Sequence, residues 1–416
     1  MRIALRRLCA VTTLGLALVA AKPAPKALPP KITQQVTGPI ASYWVDAGTA
    51  SGMGAMGAGG GQPSMGDVMR MMRGGGSSAS HTLTLRLGTT RTASSAPQAT
   101  DAMPIPPALP LQTPTAAPAP TPERSTEEQP TIPQRPKGRM LIYWGCGEHA
   151  GPGQPYVIDF AKLGAGTAMP RFPFVAIHHE NPPAPGRATT YGEWPYPRAR
   201  EKVPASIVGN HVVRGSYTPD IPYAIPADRD YMPPLVLDTS LKTPAGATML
   251  GWAPVAHATG YFASLIGAGA GAGRDDATIV MWSSSTVQTF AGGGLGEYLA
   301  PAEVARLIAA KVILPPSTAR CAIPAEVIAQ VPVGLLSMNA FGEEVNLVDP
   351  PRPADPRTPW NINWAVKVRY KSSTGTMLGM PGMAGASASD AAASAKPARR
   401  GGLLGTLKTL SETVPH

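Results

Sequence analysis

HTLTLRL, residues 81–87, and WAVKVRY, residues 364–370, alternate polar and apolar side chains almost without a break. Leu83, Leu85 and Leu87 share one face of the first stretch. Trp364, Val366, Val368 and Tyr370 share one face of the second, with Lys367 and Arg369 opposite. A period of two is that of a half-buried β-strand, because successive side chains leave a strand on opposite faces. A strand needs a sheet to pair with, so Thr82–Leu87 is expected to join a folded module. Further strands are expected at Ser42–Asp46, Met140–Trp144, Tyr156–Phe160, Phe174–Ile177, Thr248–Trp252, Gly260–Ile266 and Thr278–Trp282. One helix stands out, Pro301–Val312. Proline suits its first position, and Val304, Leu307, Ile308 and Val312 share a face. The fold class is therefore mainly β: β-sandwich-like modules with one short helix, long Pro/Gly-rich loops, and disordered N- and C-terminal segments.

Composition supports that class. The 416 residues include 45 glycines and 48 prolines, near the level at which low-complexity behaviour sets in, yet 43% are hydrophobic. Charged residues make up only 15%, against the highly charged kind of disorder. Five segments are expected: a signal peptide over 1–21, a Pro/Gly/Met-rich low-complexity region over 22–136 that holds the strand 82–87, an irregular β-rich domain over 137–234, a β-sandwich over 235–371 carrying helix 301–312, and a flexible tail over 372–416. The stretch from Thr92 to Pro136 reads as a polyproline-like spacer.

The signal peptide rests on Arg2, Arg6 and Arg7, then the apolar run Leu8–Ala20, then the small residues Val19-Ala20-Ala21 ahead of Lys22. That is the order of a secretory leader, and it is too short for a membrane anchor. Cleavage implies an exported protein, periplasmic, outer-membrane-associated or extracellular, with no transmembrane segment in the mature chain. The net charge of +10 is scattered, with no basic run interleaved with aromatics. Nucleic acid is thus not an expected partner. Of three cysteines, Cys9 leaves with the leader. Cys146 and Cys321 remain as a disulfide candidate in an oxidising compartment.

LGWAPVAHATGY, residues 250–261, resembles fibronectin type III modules. Trp252, Ala258 and Tyr261 match the family's buried tryptophan, its Pro-containing bend and its alanine-x-x-tyrosine strand opening. The resemblance covers residues 248–282 and implies a fibronectin-like β-sandwich with an interaction or spacer role. As a whole, the chain looks like an exported protein of Gram-negative bacteria.

Four groups of residues are candidates for chemistry. Tyr191, Trp194, Tyr196 and Tyr217, set among prolines, form a ligand-binding candidate, since aromatic faces stack on sugars or extended peptides. Met53, Met56, Met377, Met380 and Met383 repeat a thioether every third residue, and soft thioethers suit Cu(I). His178-His179-Glu180 offers metal ligands, but neighbouring strand residues face opposite ways and no H-E-x-x-H spacing occurs. Ser283-Ser284-Ser285 with His257 and Asp275 lacks the G-x-S-x-G elbow of a serine hydrolase. The sequence therefore reads as a non-catalytic exported cell-envelope interaction or structural protein that needs no cofactor and has an envelope protein or polysaccharide as partner. Periplasmic Cu(I) binding through the Met-rich tracts is the alternative, and an envelope hydrolase is the third reading. N-terminal sequencing of material from the envelope fraction is expected to begin at Lys22; an intact Met1 on cytosolic protein would overturn the export reading.

Overall fold

The computed structural model describes residues 33–57, 79–104, 108–114, 138–162, 175–196, 201–269, 277–289 and 294–379. The expected leader, most of the Gly/Met tract and the end of the tail lie outside these. The described chain is mainly β, organised around one mixed nine-stranded sheet, with β1 (Val36–Thr37) and β17 (Trp360–Asn361) paired in a separate two-stranded one. The centre of the large sheet is an antiparallel run of β14 (Ala277–Ser283), β13 (Ala258–Ala268), β16 (Val333–Asp349) and β18 (Trp364–Leu378). Strands from earlier in the chain flank it on both sides. β6 (Gly138–Trp144), carrying β7 (Tyr156–Asp159), lies parallel to β14. β2 (Ala41–Gly52) lies parallel to β18 and carries β3 (Ser80–Thr89) and β8 (Thr190–Trp194).

The sheet draws strands from both sides of the boundaries expected at 136/137 and 234/235. The three segments contribute to one sheet, with the third at its centre. The expected strand 82–87 is β3, paired on both sides. The low-complexity region also supplies β2, which is longer than the five residues expected, because small residues (Ala47, Gly48, Ala50) continue the pairing. β18 likewise continues into the expected tail as far as Leu378.

Two smaller sheets cover one face. One has the order β10-β9-β4-β5, formed by β4 (Ala99–Ala102), β5 (Leu109–Leu111), β9 (Gly209–Gly215) and β10 (Ile221–Ile225). The other has the order β11-β12-β15, formed by β11 (Leu237–Lys242), β12 (Thr248–Trp252) and β15 (Arg320–Ile323). Thus part of the expected spacer 92–136 is folded. Prolines are tolerated in the four-stranded sheet because β5 and β10 are its two edges. Pro110 and Pro222 are exposed there, while Leu109, Leu111, Ile221, Tyr223 and Ile225 alternate inward.

The opposite face carries a second, smaller core. Phe262 and Phe341 of the sheet pack under Leu295, Leu299, Val304, Leu307, Val312 and Ile313. The expected helix is α2, Pro301–Ala309, following a short first helix α1 at Gly54–Gly57. It stops three residues early. Lys311 adopts a left-handed conformation (φ 61°), its N–H donates to the Ile308 carbonyl, and that of Val312 donates to the Leu307 carbonyl. This Schellman cap keeps Val312 buried without extending the helix. Val175 and Ile177, expected in a strand, pack against this core outside any sheet.

Polar ties hold the layers together. The buried Asp101 of β4 accepts hydrogen bonds from Tyr43 of β2 and Tyr223 of β10 (both 2.8 Å), and His211 Nδ1 of β9 lies 3.4 Å from its other oxygen. On the opposite face, Asp46 accepts two bonds from Arg369 (2.7 Å each) and one from Arg86 (2.6 Å). A disulfide joins Cys146, just past β6, to Cys321 of β15, with Cα atoms 4.9 Å apart, and so links the large sheet to the three-stranded one.

Replacing both cysteines by serine is expected to lower stability by about 2–5 kcal/mol in urea titration, given the 175-residue separation. An unchanged midpoint would mean that the bond is not formed in the native protein. Tyr43 and Tyr223 ionise well above the usual tyrosine range, first because both are buried and then because the Asp101 charge opposes a phenolate. The folded state therefore holds these protons more tightly than the unfolded chain, and that stability is complete below pH about 10 and lost as the pH climbs further. Tyr43→Phe is expected to cost about 1.5–3 kcal/mol at pH 7, and the deficit should narrow above pH 10.

Candidate functional site

The four aromatics expected to form a binding surface do not form one. Trp194 and Tyr217 are 1% exposed and Tyr191 is buried with them. Tyr191 donates to Glu193 (2.7 Å), and the Tyr217 hydroxyl lies where a side chain on Gly192 would be. Only Tyr196 is partly exposed. These rings are packing for β8 and the four-stranded sheet, a role that proline-rich loops around aromatics do not distinguish from a surface platform.

The histidines also have separate partners. His178 bonds Glu303, whose carboxyl is held at about 2 chiefly by the Arg306 side chain, and Glu180 pairs with Lys367. His149 pairs with Glu326, and His211 with Asp101. Among the described residues no three His, Cys, Asp or Glu side chains gather as a metal site. Ser283, Ser284 and Ser285 are fully buried, and His257 instead meets Arg229 on the surface; Asp275 lies outside the described residues. Of the methionines, Met53 follows β2, Met56 lies in α1 and Met377 lies on β18; Met380 and Met383 lie outside the described residues.

On the large sheet's charged face the ions sit beside counter-ions or aromatic rings, although one oxygen each of Glu180 and Glu344 is buried without a hydrogen-bond partner. Trp44 is overlaid by Arg369 (4.6 Å) and Lys367 (5.1 Å), and Lys367 pairs with Glu180 and Glu344. Tyr298 covers Arg369 (5.0 Å) and Lys371 (4.8 Å). Cations and carboxylates there are spent on one another.

A different place is open. A groove of about 630 Å³ lies on the outer face of the three-stranded sheet. Thr248, Leu250 and Trp252 of β12 point to the core, so Met249 and Gly251 face outward and form the groove floor. A Cβ on Gly251 would meet no heavy atom within 4 Å, so the missing side chain leaves real space. One wall is the Pro233-Pro234 strap. Its backbone is fastened to the large sheet: Thr49 donates to the Met232 carbonyl (2.7 Å), Ser372 to that of Pro233 (2.9 Å), and the Leu235 N–H donates back to Ser372 (3.0 Å). The facing wall is the Trp252–Val255 bend. Trp252 packs edge-on to Tyr261 (5.5 Å), and the Tyr261 hydroxyl accepts from the Val255 N–H (2.9 Å). Leu241, 61% exposed, stands on edge strand β11.

Register adds a polar fork. Asp238, Gly251 and Arg320 lie side by side across β11, β12 and β15, so an acid and a base stand on positions whose Cα atoms are about 10 Å apart, with the glycine between them. The Asp238 carboxyl is held below the usual range first by the Ser240 side chain and then by its backbone N–H, so it is ionised at neutral pH. Sequence reasoning had Trp252 in view only as part of a resemblance. The outward Gly251 between Leu250 and Trp252, next to an outward methionine, was the available signal for a groove. No protein-family model, no curated protein and no solved structure matches this chain.

Proposed function

We propose that the protein is a non-catalytic, exported cell-envelope binding protein whose recognition surface is the Trp252 groove, and that it takes an extended, proline-containing peptide segment of an envelope protein. The observation that carries this reading is the row Asp238–Gly251–Arg320 on the floor of an apolar trough. An extended peptide presents N–H groups and carbonyls at close intervals. A carboxylate accepts from the former and a guanidinium donates to the latter, on either side of a gap wide enough for one side chain. Proline-rich segments are pre-extended, lose little entropy on binding, and dock their rings on aromatic and apolar walls. Pro233, Pro234 and Pro254, with Met249 and Leu241, supply apolar walls of this kind. A polysaccharide is a poorer fit, because sugar hydroxyls require a denser set of polar partners than one acid and one base. The volume falls in the range of sites that enclose a ligand segment. On β11 the register shifts between Asp238 and Leu241, and Lys242 follows, two devices that discourage open-ended strand pairing. Recognition is thus assigned to the groove rather than to the strand edge.

Gly251→Leu tests the reading, because the added side chain enters empty space and leaves the fold intact. A proline decamer titrated calorimetrically into the full chain is expected to bind. Affinity should fall at least tenfold in Gly251→Leu while the thermal midpoint is unchanged. Absence of any heat with the decamer, or equal binding by the two proteins, would remove this function.

A further inference from the structure

A second cavity, of about 300 Å³, opens on the charged face of the large sheet, where β2 and β3 run out beyond the ion pairs. Its floor follows from the strand register. Ser42 of β2 sits between Ala365 of β18 and Gly88 of β3, so three small residues cross the sheet in one row. The next row on the same face, two residues along, is Lys367–Trp44–Arg86, and all three are large. The drop in size between the rows leaves a step with Trp44 as its wall. The Trp44 ring is held by the cations of Arg369 and Lys367 (4.6 and 5.1 Å).

The remaining walls are segment 181–189 and Pro39-Ile40. The first is pressed onto Gly88: a Cβ there would come within 2.9 Å of the Pro183 Cβ and 3.1 Å of the Ala188 Cβ. The Thr189 N–H donates to the Thr89 carbonyl, and the Thr90 N–H donates to that of Ile40 (both 2.9 Å). Both walls are thus tied to β3 or its end by backbone hydrogen bonds.

The lining selects the ligand. Ser42, Thr90 and Asn181 offer two hydroxyls and an amide, Trp44 and Pro39 offer apolar surface, and Arg187 is the only charged residue among those lining the cavity. Asn181 Oδ1 accepts from the Arg187 guanidinium (3.0 Å), which leaves the Asn181 NH2 and further guanidinium N–H groups for a ligand. A neutral sugar ring would leave the guanidinium unused, and a bare anion would leave the indole and the proline uncovered. We propose that this cavity binds one uronic acid unit of an acidic polysaccharide, with Arg187 on its carboxylate and the hydroxyls and amide on its ring oxygens. The volume, at the lower end for ligand sites, suits a single ring. The floor lies one row away from the charged seam, so filling it breaks none of the ion pairs there. The site is also separate from the Trp252 groove and does not rest on it.

The test titrates a galacturonic acid trisaccharide calorimetrically into the full chain at low salt. Binding is expected, at least tenfold tighter than that of the neutral galactose trisaccharide, and equimolar acetate should not displace it. Arg187→Gln should weaken binding at least tenfold with the thermal midpoint unchanged, since the exposed guanidinium holds only Asn181. Ser42→Leu, which fills the floor, should do the same; if it lowers the midpoint, Arg187→Gln alone decides. Binding of the proline decamer should be the same in Arg187→Gln as in the wild type, so the two sites are read apart. The proposal is overturned if the acidic trisaccharide gives no heat, if the neutral one binds as tightly, or if acetate displaces it, which would mean an anion site only. It is equally overturned if Arg187→Gln binds as the wild type does.

Discussion

The parallel contact between β2 and β18 is the joint on which the rest of the structure depends. It runs unbroken from Ala41 beside Trp364 to Gly52 beside Gly375, and it attaches the N-terminal strands to the C-terminal antiparallel strands. On one face it places Thr49, Ser51 and Ser372, whose hydroxyls hold the backbone of the 232–235 strap. A strap without regular structure must find partners for its carbonyls and N–H groups, and these three side chains supply them. On the other face the same pairing sets Asp46 beside Arg369. Both are buried, so each charge is tolerable only because the other is there. At its far end it brings Met53 to Gly375. The groove wall and the charged seam are two consequences of one strand register.

Much of the architecture was legible where alternation was clean. Residues 81–87 and 364–370 are the strands β3 and β18, which turn out to flank β2 on either side. What lay hidden follows from particular residues. Pro110 lies in the stretch read as a polyproline-like spacer, but an edge strand such as β5 tolerates a missing N–H donor on its outer side. Lys311 ends a helix with the backbone conformation usually given to glycine, so the apolar periodicity through Val312 overstated its length. The expected boundaries followed shifts in composition. A sheet whose centre comes from the end of the chain and whose flanks come from its start leaves no such shift at its seams.

The candidate sites were legible in the opposite sense. The conspicuous aromatics Tyr191, Trp194 and Tyr217 are core, because large rings bury area most efficiently and gather wherever small sheets pack on a large one. The residues that leave space are inconspicuous in a chain with 45 glycines. Gly192 is filled from outside by Tyr217, whereas Gly251 opens onto nothing, and composition does not separate the two. Only the register does, by setting Gly251 between Asp238 and Arg320 on an outer face.

The distribution of charge sets the groove apart from the larger charged face. Where Arg86, Asp46, Arg369, Glu344, Lys367 and Glu180 crowd together, each ion has a counter-ion within reach, and Trp44 and Tyr298 cover the cations. A ligand entering there would have to break buried pairs, at a cost of several kcal/mol for each ion left unpaired. At the groove Asp238 and Arg320 flank a strand position that carries no side chain, and no ion pair joins them. Separation of charge by one missing side chain thus converts what elsewhere in this molecule is a closed seam into an open one.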